Sequence, residues 1–288
     1  RVIISMESKS LGDTIAWAPY VVKFQKKHNC QVIFSTFHNS FFENFGEYKN
    51  IKFINPGESV GCEAVYRLGW YKKETGWNDT ERNPNQVNLI PLQKTATDIL
   101  GLEFEELNYG LNFPILKRPI KEKYVVFGPN ATAGCKEWVY ENWVELSKKL
   151  IDKGFKIVTL TQQPFKIENT LNIWGESLQV VSNYLRHAEI FVGLGSGLSW
   201  LNWGLGKHTF MINGFAKDGH EFTTNVTRIF KPNVCINCWN DEVLFFEPGD
   251  WDWCPVYKGT SKQHICQKSI SSEMVFEKIN EFLSSTSR

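Results

Sequence analysis

Short apolar runs alternate with amphipathic stretches along most of this chain, the pattern of strands buried on both faces and separated by helices. The runs at 2–5, 31–36 and 51–54 read as strands, with a helix over 13–28 and a short helix over 40–47 between them. A further strand is expected within 61–71. Pro91 opens a helix over 91–100, where its missing N–H costs nothing because a first-turn donor has no partner anyway. Residues 107–119 lose the periodicity, end in Arg118-Pro119 and read as a linker. A second series starts with a strand at 124–127 and continues with a helix at 141–153, a strand at 156–160 and a helix at 178–187. A strand at 189–192, a helix at 197–205 and a strand at 208–212 complete it. After Lys231 the alternation stops, until a terminal helix over 272–283. Strands and helices alternating at this spacing predict parallel sheets. Two series on either side of one linker predict an α/β protein of two Rossmann-like domains, 1–118 and 119–288, facing a cleft.

Three constellations fall where parallel strands end, which is where such folds place ligands. Ser10-Leu11-Gly12-Asp13-Thr14 follows the opening strand. A carboxylate at Asp13 can take a proton from a hydroxyl as general base, or it can simply cap the helix that begins there. Gly193-Leu194-Gly195-Ser196-Gly197-Leu198 follows the strand at 189–192. Its glycines suit backbone N–H groups that hold a diphosphate at a helix start, or a plain tight turn. Its spacing differs from G-x-G-x-x-G because the third glycine comes one place early. Asn130, Thr132 and Lys136 follow the strand at 124–127. A lysine there can neutralise a departing nucleotide diphosphate, or it can be an exposed lysine at a helix start, ahead of Trp138 and Trp143. The loop from Gly214, with His220 and Glu221 after it, also opens at a strand end and offers groups for a sugar or an acceptor.

Four of the seven cysteines form Cys235-x2-Cys238-x15-Cys254-x11-Cys266. A Cys-x2-Cys turn puts two sulfurs on one side of a tetrahedral ion, and two later cysteines close the cage. Two disulfides are the alternative, but Cys30, Cys62 and Cys135 would remain as an odd number in a chain of 288 residues. Iron and zinc both accept four thiolates, so spacing does not choose between them. The rings of Trp239, Phe245, Phe246, Trp251 and Trp253 lie between these cysteines and are expected to press onto a neighbouring surface.

Lys and Arg number 32 against 31 Asp and Glu, a net charge of +1. This balance argues against a nucleic-acid binder. No apolar run is long enough to span a bilayer and no signal peptide is recognisable, so the protein is expected to be cytoplasmic, without a membrane span.

Together, Ser-Leu-Gly-Asp-Thr-Ile-Ala-Trp at 10–17, Ala-Gly-Cys-Lys-Glu-Trp at 133–138, Gly-Ser-Gly-Leu-Ser-Trp-Leu at 195–201 and the cysteine tail resemble the bacterial autotransporter heptosyltransferases. The resemblance covers nearly the whole chain in order. It implies a GT-B fold, an ADP-heptose-type donor and transfer to Ser or Thr hydroxyls of an autotransporter adhesin. It also implies Asp13 as general base, with Thr14, Thr132, Lys136, Gly195, Ser196, Gly197 and Leu198 at the donor. Cys235, Cys238, Cys254 and Cys266 would hold a structural iron within the segment 235–266, zinc being the alternative, in a large homo-oligomer. No catalytic divalent cation is expected, because the lysine and the helix dipole can neutralise the phosphates. Transfer to lipopolysaccharide or another glycan, and a non-catalytic nucleotide-binding scaffold, are the competing readings.

Overall fold

The structure, a computed structural model, describes residues 1–6, 8–70, 83–244, 246–247 and 249–286. The chain divides into two compact units, Arg1–Phe113 with Gly219–Thr223, and Pro114–Asp218 with Thr224–Arg288.

The first unit is built on four parallel strands, β1 (Val2–Met6), β2 (Val32–Ser35), β3 (Lys52–Ile54) and β4 (Ala64–Leu68), in the order β3-β2-β1-β4. Tyr71, the far end of the strand expected within 61–71, lies outside the described residues. Helix α1 (Leu11–His28) follows β1 directly. Ser10 caps it, accepting the Asp13 N–H at 3.4 Å, and Asn29 ends it in the left-handed region at φ 45° after Lys26, Lys27 and His28. Cations in the last turn suit the negative end of the helix dipole. Helix α2 (Leu92–Leu100) takes Pro91 as its N-cap and Gly101, at φ 63°, as its left-handed C-cap. The helix expected over 40–47 does not form. Two 3-10 turns, Asn39–Phe41 and Gly46–Asn50, stand there instead. Asn44 and Gly46, at φ 58° and 47°, interrupt any continuous right-handed helix.

The second unit holds six parallel strands: β5 (Tyr124–Gly128), β6 (Lys156–Thr161), β7 (Leu171–Trp174), β8 (Ile190–Leu194), β9 (Thr209–Ile212) and β10 (Val226–Ile229). Their order is β10-β9-β8-β5-β6-β7. This is the doubly wound order, with its reversal between β5 and β8, where ligands of such sheets bind. Both central strands are buried along their whole length. Helices α3 (Tyr140–Asp152), α4 (Leu178–His187), α5 (Gly197–Gly204), α6 (Ile265–Lys268) and α7 (Ser272–Thr286) complete the unit. Trp143, Leu146 and Leu150 of α3 join Val275 and Ile279 of α7 in one core with Val125, Phe127 and Val192. Trp138 lies before α3 rather than in it, because Glu137 and Val139 are extended. Its ring is buried and its indole N–H donates to the Ile270 carbonyl at 2.7 Å.

The two parallel sheets are those of the two Rossmann-like domains that a GT-B fold requires.

Candidate active site and cysteine segment

Asp13 is the third residue of α1, in the loop-to-helix junction after β1. Ser10 already fills the capping position, so the carboxylate is not the cap. It accepts instead from the Ser8 hydroxyl at 2.9 Å, and Ser8 also accepts from the Ser10 N–H at 3.0 Å. Asp13 is half-buried, a setting that keeps a carboxylate oriented yet reachable. Thr14 is fully buried and its hydroxyl turns back to the Ser10 carbonyl at 2.9 Å. In the same unit a cavity of about 540 Å³ lies over one face of the sheet, with Ile3, Ser5, Val65 and Arg67 in its wall, and reaches Ser35 and Phe37. Phe37 lies under the Lys9 ammonium at 5.0 Å, which ties that wall to the loop carrying Asp13. His220 and Glu221, expected to open toward a ligand, are buried in this unit, and the His220 ring meets the Ile90 carbonyl at 3.1 Å.

The second unit brings two of the predicted loops together across the β5/β8 reversal. Lys136, in a 3-10 turn after β5 (Gly134–Lys136), donates from its ammonium to the Gly195 carbonyl after β8 at 3.2 Å. The strand ends must come close for this. A Cβ on Gly128 would stand 2.8 Å from the Leu198 side chain, and one on Gly193 would stand 2.6 Å from the Phe191 ring and 2.9 Å from Ser199 Oγ. Leu198 therefore packs over β5 with its side chain. At the start of α5 Leu198 offers only its backbone, beside those of Gly197 and Ser196. Ser196 is the N-cap of α5 but makes no capping bond, and its hydroxyl is buried with no hydrogen-bond partner among the described residues. A buried hydroxyl without a partner is costly. Thr132 is exposed in the bend before Lys136. Ser199, part of the motif at 195–201 but given no role from the sequence, braces the turn by donating to the Leu194 carbonyl at 2.6 Å.

The cysteine segment follows β10. All seven cysteines are free thiols, so the disulfide alternative is not realised. The Cys235 and Cys238 sulfurs lie 3.8 Å apart. That is about the 3.8 Å edge of a tetrahedron with metal–sulfur bonds near 2.3 Å. Burial, and then the neighbouring Cys235 thiol, push Cys238 up to about 12, with Cys266 and Cys254 adding to the rise. Burial likewise pushes Cys266 up to about 11. Each of the four thiols thus lies within electrostatic reach of others, although among the described residues no group of three or more closes to metal-holding distance. The donor set fits a thiophilic ion in kind, with one pair at ligand spacing. Of the ring cluster, Trp239, Phe246 and Trp253 are buried together, with Trp239–Phe246 centroids 5.5 Å and Phe246–Trp253 centroids 5.4 Å apart. Trp251 is exposed, and Phe245 lies outside the described residues.

Residues 92–228 match the model of glycosyltransferase family 9 (heptosyltransferase). The chain is 32% identical to the autotransporter heptosyltransferase Aah of Escherichia coli, over 95% of this chain and 72% of Aah. It belongs to the autotransporter heptosyltransferases. Its fold superposes on the crystal structure of TibC from enterotoxigenic E. coli with a TM-score of 0.90 at 29% identity, covering 99% of this chain and 76% of TibC. TibC is described as an iron-containing dodecameric glycosyltransferase, and a second structure of it holds ADP-D-beta-D-heptose. A third relative, BimC of Burkholderia thailandensis, is 28% identical over 95% of this chain and 67% of its own length, and is described as inactive. As a member of this family the chain is a glycosyltransferase of the heptosyltransferase type. No helix among the described residues is long and apolar enough to cross a membrane.

Proposed function

We propose that this heptosyltransferase moves heptose from an ADP-heptose-type donor to Ser or Thr hydroxyls of an autotransporter adhesin, with inversion at the anomeric carbon. The observation that carries the donor side is the 3.2 Å contact of Lys136 with Gly195 at the sheet reversal, beside the unpartnered Ser196 hydroxyl. A diphosphate there would take the lysine charge, the Ser196 hydroxyl and the N–H groups at the start of α5, a favourable end of the helix dipole. Thr132, Gly195, Gly197 and Leu198 line the same donor position with their loops, and Thr14 supports the helix start that carries Asp13.

In the proposed reaction Asp13 takes the proton of the acceptor hydroxyl while its oxygen attacks the anomeric carbon. The bond from that carbon to the diphosphate oxygen breaks as the new one forms, which inverts the centre. ADP leaves with the electron pair, and Lys136 and the helix start neutralise its charge. Ser8 orients the base through its 2.9 Å hydrogen bond. Cys235, Cys238, Cys254 and Cys266 would hold iron, as named for TibC, or zinc. Such a four-thiolate site is closed and supplies structure rather than an open coordination position. We place the enzyme in the cytoplasm as a large homo-oligomer, in line with the dodecamer described for TibC.

The test supplies ADP-heptose, UDP-sugars and GDP-sugars in turn, with a Ser/Thr-rich autotransporter fragment, and reads the fragment's intact mass. A heptose-sized gain from the ADP donor alone, lost in Asp13→Asn, is expected. A gain that survives Asp13→Asn removes the base assignment. Nucleotide binding with no gain from any donor supports the second reading, a non-catalytic scaffold, which the inactive relative BimC favours.

A further inference from the structure

We infer that Gln267 is a positioning residue through which the cysteine segment sets Lys136 for the donor diphosphate, an inference that rests on the role proposed above for Lys136. Gln267 follows Cys266 in α6 and is 1% exposed. Its side-chain N–H donates to the Lys136 backbone carbonyl, and its side-chain oxygen accepts from the Gly214 N–H at 2.9 Å. Both groups of one amide are used, one as donor and one as acceptor, which of the acidic and amide side chains only Asn and Gln can do when uncharged acids are set aside. The approach is close: a Cβ on Gly214 would stand 2.5 Å from the Cys266 carbonyl oxygen.

Two further tethers run between the same partners. The Cys135 N–H donates to the Trp251 carbonyl at 3.2 Å. The Lys136 ammonium lies over the Phe215 ring at 5.3 Å, and Phe215 stacks on Trp239 at 5.8 Å and meets Trp253 edge-on at 6.0 Å. The lysine is therefore held at its carbonyl, at the preceding N–H and along its side chain by groups of the cysteine segment or in contact with it. The bonds at its carbonyl and at the preceding N–H fix the backbone that carries the lysine before the ligand arrives, which lessens the ordering that binding must supply. Helix α6 has only four residues, too few to persist without tertiary contacts. Cys266 and Gln267 are neighbours in it, so what holds the Cys266 thiol reaches the donor loop through Gln267.

The experiment measures ADP and AMP binding by calorimetry for wild type, Gln267→Glu, Lys136→Ala and the double variant, with metal content and near-UV circular dichroism recorded for each. Glutamate keeps the acceptor for Gly214 and loses the donor to Lys136. The expected result is ADP affinity about tenfold weaker in Gln267→Glu, the scale of one hydrogen bond, with AMP affinity, metal content and spectrum unchanged. The double variant should bind ADP no more weakly than Lys136→Ala alone. Wild type stripped by a chelator should lose ADP affinity, while stripped Lys136→Ala loses none beyond its own deficit. Unchanged ADP affinity in Gln267→Glu, or losses that add in the double variant, overturns the inference. Unchanged ADP affinity in Lys136→Ala instead overturns the role of the lysine itself. Should Gln267→Glu fail to fold, Gln267→Met, uncharged and of similar length, removes both hydrogen bonds and carries the same comparison.

Discussion

Asp13 is spared the capping role by Ser10 and hydrogen-bonded by Ser8, so its substitution by asparagine removes a proton acceptor with little change in shape. Turnover should fall by a factor of about 10² to 10⁴, while ADP affinity stays within twofold by calorimetry, roughly the experimental spread of such a comparison. Ser196 makes the opposite prediction. Its hydroxyl has no partner among the described residues, so Ser196→Ala should leave the melting temperature unchanged or raise it, because an unsatisfied buried polar group is removed. The same variant should bind ADP more weakly. A thermal scan with and without ADP separates the two effects. His208 carries a pH dependence. Burial lowers its proton affinity below the ordinary imidazole value, and its ring stacks on Phe282 at 4.5 Å and meets the Thr227 hydroxyl at 2.9 Å. A group whose folded value is depressed takes up a proton on unfolding, so stability is intact above about pH 6.5 and falls as the pH drops through that value toward the folded one. Denaturant unfolding between neutral pH and about pH 5 should show a steeper loss in wild type than in His208→Gln.

At the scale of elements, the reversal between β5 and β8 depends on two glycines. Gly193→Ala would set a methyl 2.6 Å from the Phe191 ring, and overpacking of this kind costs about 1–3 kcal/mol. Calorimetry should show a lower melting temperature for the second unit. The strands bearing these glycines were legible in the sequence because they are buried throughout and so read as unbroken apolar runs. The edge strands of the second sheet were not. Strand β7 is exposed at both ends, at Leu171 and Trp174, and β10 is the four-residue Val-Thr-Arg-Ile, so neither shows a buried run or a clean alternation. The helix expected over 40–47 was misread for a different reason, since a left-handed asparagine is a backbone choice that periodicity does not record. The candidate donor position was partly legible, as glycines and a lysine following strands. Its internal contacts were not: Lys136 and Gly195 meet only because β5 and β8 are neighbours, and Gln267 has no sequence signal beyond standing next to a cysteine.

For the whole molecule, the cysteine segment links local chemistry to global stability. Trp239 and Trp253 are buried within it, so stripping bound metal should change tryptophan emission together with a fall in melting temperature, read in one fluorescence-monitored scan. Protein whose emission and melting temperature ignore the chelator would not use the four thiols as a structural site. The division of the chain also has a consequence for its synthesis. The five residues Gly219–Thr223 belong to the first unit, where the His220 carbonyl accepts from the Leu92 N–H at 2.8 Å and Thr223 donates twice to Glu106, at 2.6 and 2.8 Å. A ribosome has already made β5 to β9 of the second unit before it reaches those residues. The N-terminal unit is begun first, yet it waits through most of the other sheet for the short stretch that completes it, so it cannot finish folding in the order in which it is translated.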